Sequence, residues 1–479
     1  MADRADDTGA ARRFSRRRAA GMVASLIALA AGAAVSPAAA QDAPPAATED
    51  ANATPAPAAP EPITPPQPGY DGIRVAQDGH LAPYSIWVNL PPVLVTTPDG
   101  GAWAFFTARA RVGDTTGSNE LFAARFDPKA QLWRPAAALP GNDVQFGPAA
   151  VVDAKGAVHL IYSARPSESA TANSTLMYTV SRDGQTWETP KPVAPDPNAG
   201  MQVMADLAID GKGVLHAIWR DQRVGNGSVS PNDQSDGDLY VSDFANGAWS
   251  TPVQLTGLKG ATDFVAWPRI ECDGDRLVVL WSVYSQRSTG ADSGRKADRV
   301  VWSSRPLAAP NQWSAPATLV EPKDGDEIGS QLVDLAADPR GGVVAVSTRL
   351  DRSGASVTGT VSLLRLAPGS NEWSAPQPVA TGNLGYFPSL AISRDGIAYI
   401  AFNDGAGRRV EVGMVAASVD SGQAGAEIAP TAGESGEHGR PSVAIAPDGR
   451  PWLIYMHGET SSNSIELRAQ RGVVIDAGP

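Results

Sequence analysis

Short apolar runs alternate with turn residues throughout residues 70–479, and their order repeats. One unit consists of an apolar run, a turn that contains Asp and Gly, and a second apolar run, as in MADLAIDGKGVLHAIWRD from residue 204. Runs of this length that are rich in Val, Ile and aromatic residues and are joined by Asp-Gly turns predict β-hairpins. The unit occurs seven times, with turn acids Asp99, Asp153, Asp210, Asp273, Asp338, Asp395 and Asp448.

A second repeated unit begins with Trp, continues with Pro two or three residues later, and has an aliphatic residue six positions after the Trp. Five copies fit, at Trp133, Trp187, Trp249, Trp313 and Trp373. Because Pro cannot donate a hydrogen bond to a neighbouring strand, the unit predicts an outer edge strand. Another β-like run, such as STLMYTVS from residue 174, separates the two units. Each repeat is therefore predicted to contain four strands.

The repeat number and length predict the fold class. Residues 70–479 divided among seven repeats give about 59 residues per repeat, which suits a four-stranded antiparallel blade with its loops. We predict an all-β, seven-bladed β-propeller, with six blades or an open solenoid as alternatives. The seventh repeat lacks a Trp strand, so residues 73–81 are predicted to supply its outer strand and close the ring.

The first 69 residues differ in composition from the repeats. Residues 1–40 combine a basic cluster (Arg12, Arg13, Arg16, Arg17 and Arg18) with a mild apolar stretch that ends in three alanines. This pattern predicts an export signal peptide, and hence a periplasmic or secreted protein. The signal resembles a twin-arginine signal, while general secretory export and a retained membrane helix stay as alternatives. Residues 41–69 hold nine Pro and eight Ala, which predicts a disordered tether.

Charge and cysteine content exclude several functions. The chain has a net charge of -12, and residues 1–40 carry six basic and three acidic side chains, so the remainder has a net charge of -15. An acidic body disfavours nucleic-acid binding. Cys272 is the single cysteine, so no intrachain disulfide can form. No membrane span is expected after removal of the signal.

One short motif resembles a known family. The string SRDGQTW at residues 181–187 is similar to the Asp-box of the sialidase-like, or BNR-repeat, propellers, although one residue between Asp and Gly is missing. By this resemblance, Ser181, Asp183, Gly184 and Trp187 are structural: Asp183 accepts backbone N–H groups in a tight turn and Trp187 packs between blades. The resemblance also implies that the protein recognises glycans.

In a propeller, the loops that follow second strands and precede first strands converge on one end of the central channel. Arginines dominate the first group in this acidic chain: Arg109, Arg165, Arg220, Arg223, Arg287, Arg349 and Arg352. Because the guanidinium group suits bidentate carboxylate binding, an acidic carbohydrate or glycoconjugate is the expected partner. The alternative is that these arginines pair with acids at the blade rims.

The sialidase resemblance implies a particular set of site residues. Arg220, Arg269 and Arg440 are the predicted carboxylate-binding triad, Tyr386 the catalytic nucleophile and Asp221 the catalytic proton donor of an exo-sialidase-type glycoside hydrolase. The family's Arg-Ile-Pro motif is absent, and its enzymes have six blades. Two alternatives remain open: a uronate polysaccharide lyase with a His or Tyr base, or a non-catalytic binding or assembly module with an envelope protein partner.

The histidines indicate no metal or cofactor by their spacing. None of the five forms an HExxH motif, and the Asp-rich turns lack the calcium-loop pattern, so no metal and no cofactor are predicted. His159 and His216 occupy equivalent positions in their repeats, which favours a packing role. His438 and His457 lie nearer the predicted channel mouth.

Overall fold

The structure is a computed structural model. It describes residues 73–77, 84–86, 90–112, 115–140, 144–165, 173–195, 201–223, 237–257, 264–286, 295–321, 326–351, 358–382, 386–405, 411–459 and 464–472. The predicted signal peptide at residues 1–40 and the predicted tether at residues 41–69 lie outside this part of the chain, and both stay predictions. Among the described residues, none of the secondary structure is α-helical.

The first half of the chain contains strands β1 to β16. They are β1 (Ile73–Gln77), β2 (Tyr84–Ile86), β3 (Val93–Thr96), β4 (Ala102–Val112), β5 (Thr115–Asp127), β6 (Leu132–Trp133), β7 (Ala137–Ala138), β8 (Val144–Val152), β9 (Val158–Ala164), β10 (Thr175–Ser181), β11 (Lys191–Pro192), β12 (Gln202–Ile209), β13 (Leu215–Asp221), β14 (Asp238–Ala245), β15 (Ala248–Trp249) and β16 (Val253–Gln254).

The second half continues the same order. Its strands are β17 (Phe264–Asp273), β18 (Arg276–Gln286), β19 (Arg295–Pro306), β20 (Ala317–Val320), β21 (Asp326–Ala337), β22 (Val343–Asp351), β23 (Thr358–Leu366), β24 (Gln377–Gly382), β25 (Tyr386–Ile392), β26 (Ile397–Asp404), β27 (Glu411–Ser418), β28 (Glu437–Ile445), β29 (Pro451–Glu459) and β30 (Ser464–Arg471).

These strands form seven antiparallel sheets, the blades of a seven-bladed β-propeller, as predicted. The innermost strands are β3, extended by β2, in blade 1 and β8, β12, β17, β21, β25 and β28 in blades 2 to 7. Each innermost strand contacts the next around the ring, and β28 contacts β3. The ring is therefore closed, and the blades pack face to face around a central channel.

Closure is made by two distant parts of the chain. The outer strand of blade 7 is β1, which pairs antiparallel with β30 so that Ile73 opposes Ala469 and Gln77 opposes Glu466. Val75 and Ala76 are buried in the core between blades 7 and 1, together with Trp452 and Leu467. The prediction that residues near Ile73 complete the seventh blade is confirmed for residues 73–77.

The repeated Trp residues lie in or just before the outer strands, and each Trp packs against the preceding blade. The Trp133 ring lies 5.6 Å from that of Trp452, and the Trp373 ring lies 5.8 Å from that of Trp302. In blades 1 and 3 the outer strand is divided into two pieces, β6 with β7 and β15 with β16. The prolines between the pieces explain the break, because they cannot donate a ladder hydrogen bond.

Most turn acids hold the hairpins closed at the end of the channel where the inner strands finish. Asp153 Oδ1 accepts backbone N–H groups from Lys155 and Ala157, and Asp210 Oδ1 does the same for Lys212 and Val214. Such local hydrogen bonds satisfy backbone donors that the tight turn leaves unpaired. No helix among the described residues is long and apolar enough to cross a membrane.

Candidate functional site

Four inner strands share a backbone irregularity near their first residues. Met204, Trp267, Phe387 and Arg440 adopt positive φ angles of 52° to 54°. Each lies at a β-bulge, where the register shifts against the neighbouring strand. Left-handed backbone in residues other than Gly is uncommon and is concentrated at functional sites. We call these four residues the mouth collar, because they lie where the inner strands begin.

The collar residues contact each other in pairs across blade boundaries. Met204 and Trp267 pack together with buried Ala266. The guanidinium carbon of Arg440 lies 4.1 Å from the centroid of the Phe387 ring. All four side chains are half-buried. The collar therefore presents one thioether, two aromatic faces and one cation at the same end of the channel.

Arg440 is a cation in an environment with little compensation for its charge. Its Nη1 is buried without a hydrogen-bond partner, and within the described part of the chain no carboxylate forms an ion pair with it. Burial lowers the pKa of the Arg440 guanidinium to about 10. Its backbone N–H donates to Asn403 Oδ1 over 2.8 Å, which fixes the bulge. A desolvated cation of this kind favours binding of an external anion.

Below the collar, side-chain hydrogen bonds join the inner strands at four of the seven blade boundaries. Asp206 accepts the N–H of Ile270, Asp334 that of Leu390, Ser389 that of Val443, and Ser442 that of Leu94, over 2.9 to 3.2 Å. All four acceptors lie four residues before the residue that opens the following turn, which is Asp210, Asp338, Ser393 or Ala446. These hydrogen bonds occupy backbone donors at the channel wall and hold four blade boundaries in register.

Blade 4 carries an arginine at the position where blades 3, 5, 6 and 7 carry these acceptors. Arg269 Nε donates to Asp334 Oδ1 over 3.0 Å, and its Nη1 donates to the carbonyl of Pro268. Burial raises the pKa of Asp206 to about 6 and that of Glu271 to about 8, and it also raises the pKa of Asp334. Arg269 thus interacts with Asp206 and Asp334, and the charges of these two carboxylates act in turn on Glu271.

The predicted proton donor Asp221 and its neighbour Arg220 are buried in blade 3, with 0% and 1% exposure. Asp221 Oδ2 accepts hydrogen bonds from Gln202, Trp219 and Arg223, and Oδ1 accepts the backbone N–H of Arg223. This set of donors fixes the carboxylate within its own blade. The catalytic role of Asp221 and the binding role of Arg220 stay predictions.

The other predicted site residues fall in inner strands rather than in the loops before them. Arg269 is in the middle of β17 and is paired with Asp334, whereas Arg440 belongs to the collar. Tyr386 opens β25, opposite Asn403 and directly before Phe387; its side chain lies outside the described residues. Position therefore brings Tyr386 and Arg440 to the same end of the channel.

The Asp-box residues form a turn on the outer part of blade 2. Asp183 accepts backbone N–H groups from Gln185 and Thr186, which lowers its pKa well below the usual range. Gly184 has a φ of +66°, and its carbonyl accepts from Arg125 of blade 1. The Trp187 ring meets those of Trp103 and Phe105 edge to face. Ser181, at the end of β10, is fully buried.

Of the collar residues, Arg440 was a predicted site residue, whereas Met204 and Phe387 were not predicted. The sequence does contain a shared feature of the collar residues: each lies six positions before the residue that opens its turn, which is Asp210, Asp273, Ser393 or Ala446. The bulges were not located from the sequence, because an inserted residue reverses the alternation of faces and so breaks the period-two pattern used to identify strands.

Comparisons with known proteins support the fold. No family model matches the chain, and no curated protein matches it either. Among solved structures, a polysaccharide lyase, Uly1, is 12% identical with a TM-score of 0.52, covering 82% of this chain and 91% of the lyase. An α-L-arabinanase from Penicillium chrysogenum, complexed with arabinobiose, is 15% identical with a TM-score of 0.47, covering 73% and 98%.

The NanB sialidase from Streptococcus pneumoniae is 10% identical with a TM-score of 0.44, covering 83% of this chain and 70% of the sialidase. At 12% identity, the likeness to the lyase is one of fold alone.

Proposed function

We propose that the protein is an exported β-propeller that recognises acidic glycans at the mouth collar. The observation that carries the proposal is the half-buried guanidinium of Arg440, which stacks on Phe387 and has no carboxylate partner within the described residues. A carboxylate of a uronic or sialic acid supplies the missing charge and two acceptor oxygens.

The other collar residues supply the apolar part of a sugar site. Trp267 and Phe387 offer aromatic faces, which pack against the C–H surfaces of pyranose rings, while polar groups fix the orientation of the ligand. A glycan ligand is consistent with the name of one solved structure that shares this fold, the polysaccharide lyase Uly1. Export is proposed from the signal-like residues 1–40 alone.

Hydrolysis of the sialidase type is the more specific form of this proposal. In that reaction the Tyr386 oxygen would attack the anomeric carbon and lose its proton to water, the glycosidic bond would break, and the leaving oxygen would take a proton from Asp221 or from water. The position of Tyr386 beside the collar supports this role, but the buried, fully hydrogen-bonded Asp221 does not favour proton transfer from that group. The lyase alternative has equal support from the fold, although its candidate histidine bases, His438 and His457, are only 2% and 1% exposed.

Affinity electrophoresis in gels that contain acidic or neutral polysaccharides tests recognition. We expect retardation by polyuronates or sialylated glycans and none by a neutral glucan, and equal mobility in all gels would contradict the proposal. Turnover of a fluorogenic sialoside tests catalysis separately. Loss of turnover in Tyr386→Phe with retained glycan binding would support the nucleophile, and absence of turnover with retained binding supports a binding module.

A further inference from the structure

We propose that Glu434, His438 and His457 form a binding site for one divalent zinc ion at the boundary of blades 6 and 7. His438 on β28 and His457 on β29 are cross-strand partners in one hairpin. Glu434 precedes β28 in the segment that leads in from blade 6. One potential ligand atom from each residue lies within 4.8 Å of the other two.

The distances between the ligand atoms suit a metal of this size. His438 Nε2 lies 2.8 Å from His457 Nδ1 and 3.2 Å from Glu434 Oε2, and His457 Nδ1 lies 3.8 Å from the same oxygen. These separations bracket the edge of about 3.3 Å that a tetrahedron has when its metal–ligand bonds are about 2.0–2.1 Å. Two imidazoles with one carboxylate form a ligand set that zinc accepts.

Two ring nitrogens and one carboxylate oxygen converge on one small volume. When the proton between the rings is on His457 Nδ1, the lone pair of His438 Nε2 also faces the Glu434 carboxylate, which is a repulsive contact. A divalent cation would accept all three lone pairs at once.

The surroundings orient the carboxylate. Tyr455 Oη donates to Glu434 Oε1 over 2.9 Å, and Arg468 Nη1 donates to Oε2 over 2.7 Å. Arg468 is in turn held by Glu466 over 2.8 Å. Such outer contacts commonly fix metal ligands. The side chains of His438 and His457 are each 1% exposed and that of Glu434 is 12% exposed, so entry is from the Glu434 side.

The site is distinct from the mouth collar in its chemistry. It is enclosed and has three protein ligands, and it links the segment before β28 to the hairpin of blade 7, which also contains the ring closure with β1. A bound zinc ion would therefore stabilise the propeller.

Isothermal titration of the chelator-treated mature protein with Zn²⁺ alone tests the site. We expect one equivalent to bind and to raise the melting temperature. His438→Ala and the more conservative Glu434→Gln should weaken binding about 100-fold and abolish the thermal shift, and Tyr455→Phe should weaken it about 10-fold by freeing the carboxylate. His159→Ala, which removes a histidine of blade 2, is the matched control and should bind one equivalent.

Two outcomes would overturn the proposal. One is that the wild-type protein takes up no stoichiometric zinc. The other is that Glu434→Gln, checked for folding by circular dichroism, binds zinc as tightly as the wild type, which would place the ion elsewhere.

Discussion

Arg440 and Phe387 occupy equivalent bulges in adjacent blades, and the guanidinium carbon of Arg440 lies 4.1 Å from the centroid of the Phe387 ring. The stacking contact holds the guanidinium over an aromatic face. It does not neutralise the positive charge, because the ring attracts the cation through its quadrupole and carries no net negative charge. This relationship explains why the mouth collar suits an anionic ligand with an apolar ring.

The hydrogen bonds between inner strands should contribute measurably to stability. Ser442→Ala removes the acceptor for the Leu94 N–H at the junction of the last and first blades. Because the lost partner leaves a partly buried donor unpaired, we expect a loss of about 1–3 kcal/mol in the free energy of unfolding. Denaturant unfolding measures it, with the exposed Ser421→Ala as the control. Equal losses in both variants would contradict the assigned role.

The carboxyl cluster predicts an unusual pH dependence at Glu271. Its pKa is raised from 4.5 to about 8, mainly by burial and secondarily by Asp206 and Asp334, while Arg269 is the cation nearby. The folded state therefore holds a proton that the unfolded state has released, and stability falls as pH rises from about 4.5 to 8.

Glu271→Gln keeps an acceptor for the Cys272 N–H but cannot ionise. Its melting temperature relative to wild type should be higher at pH 9 than at pH 5. A difference between the two proteins that does not change with pH would contradict the raised pKa.

The Asp-box is expected to affect stability and not ligand binding. Trp187→Ala removes the edge-to-face contacts with Trp103 and Phe105 across blades 1 and 2. We expect a loss of about 3 kcal/mol in the free energy of unfolding, with glycan affinity unchanged. Weaker glycan binding in a variant of wild-type stability would instead place the box at the ligand site.

Ring closure by β1 is a further expected source of stability. Deletion of residues 70–82 removes the partner of β30 and exposes Leu467 and Ala469, which are now fully buried. The melting temperature should fall sharply. Deletion of the predicted tether, residues 41–69, is the matched control and should leave it nearly unchanged. An unaltered melt in the first variant would show that the blade closes without β1.

The architecture could be predicted because hairpins are local. Asp-Gly turns between apolar runs and a Trp-Pro unit at regular intervals give the number and order of strands, and the missing Trp in the last repeat pointed to residues near Ile73 as the closing strand. The number and order of the strands depend on residues that are close together along the chain, so they can be predicted from the sequence pattern.

The site was harder to predict because it depends on contacts across blades and on bulges. Arg269 was expected to be available for a ligand, yet it meets Asp334, 65 positions further along the chain. His438 and His457 were assessed by metal-motif spacing, which does not detect side chains brought together by strand pairing. Asp221 was expected at the mouth, but the register turns its carboxylate toward Gln202 and Trp219 within its own blade.

The most direct test is a calorimetric titration of the wild-type protein and of Arg440→Gln with an acidic oligosaccharide and with its carboxyl-reduced counterpart. The account predicts that the wild type binds the acidic form at least about 10-fold more tightly, and that Arg440→Gln loses this preference while keeping its melting temperature within a few degrees. Equal affinity of the wild type for the two sugars, or an unchanged preference in Arg440→Gln, would contradict acidic-glycan recognition at the collar.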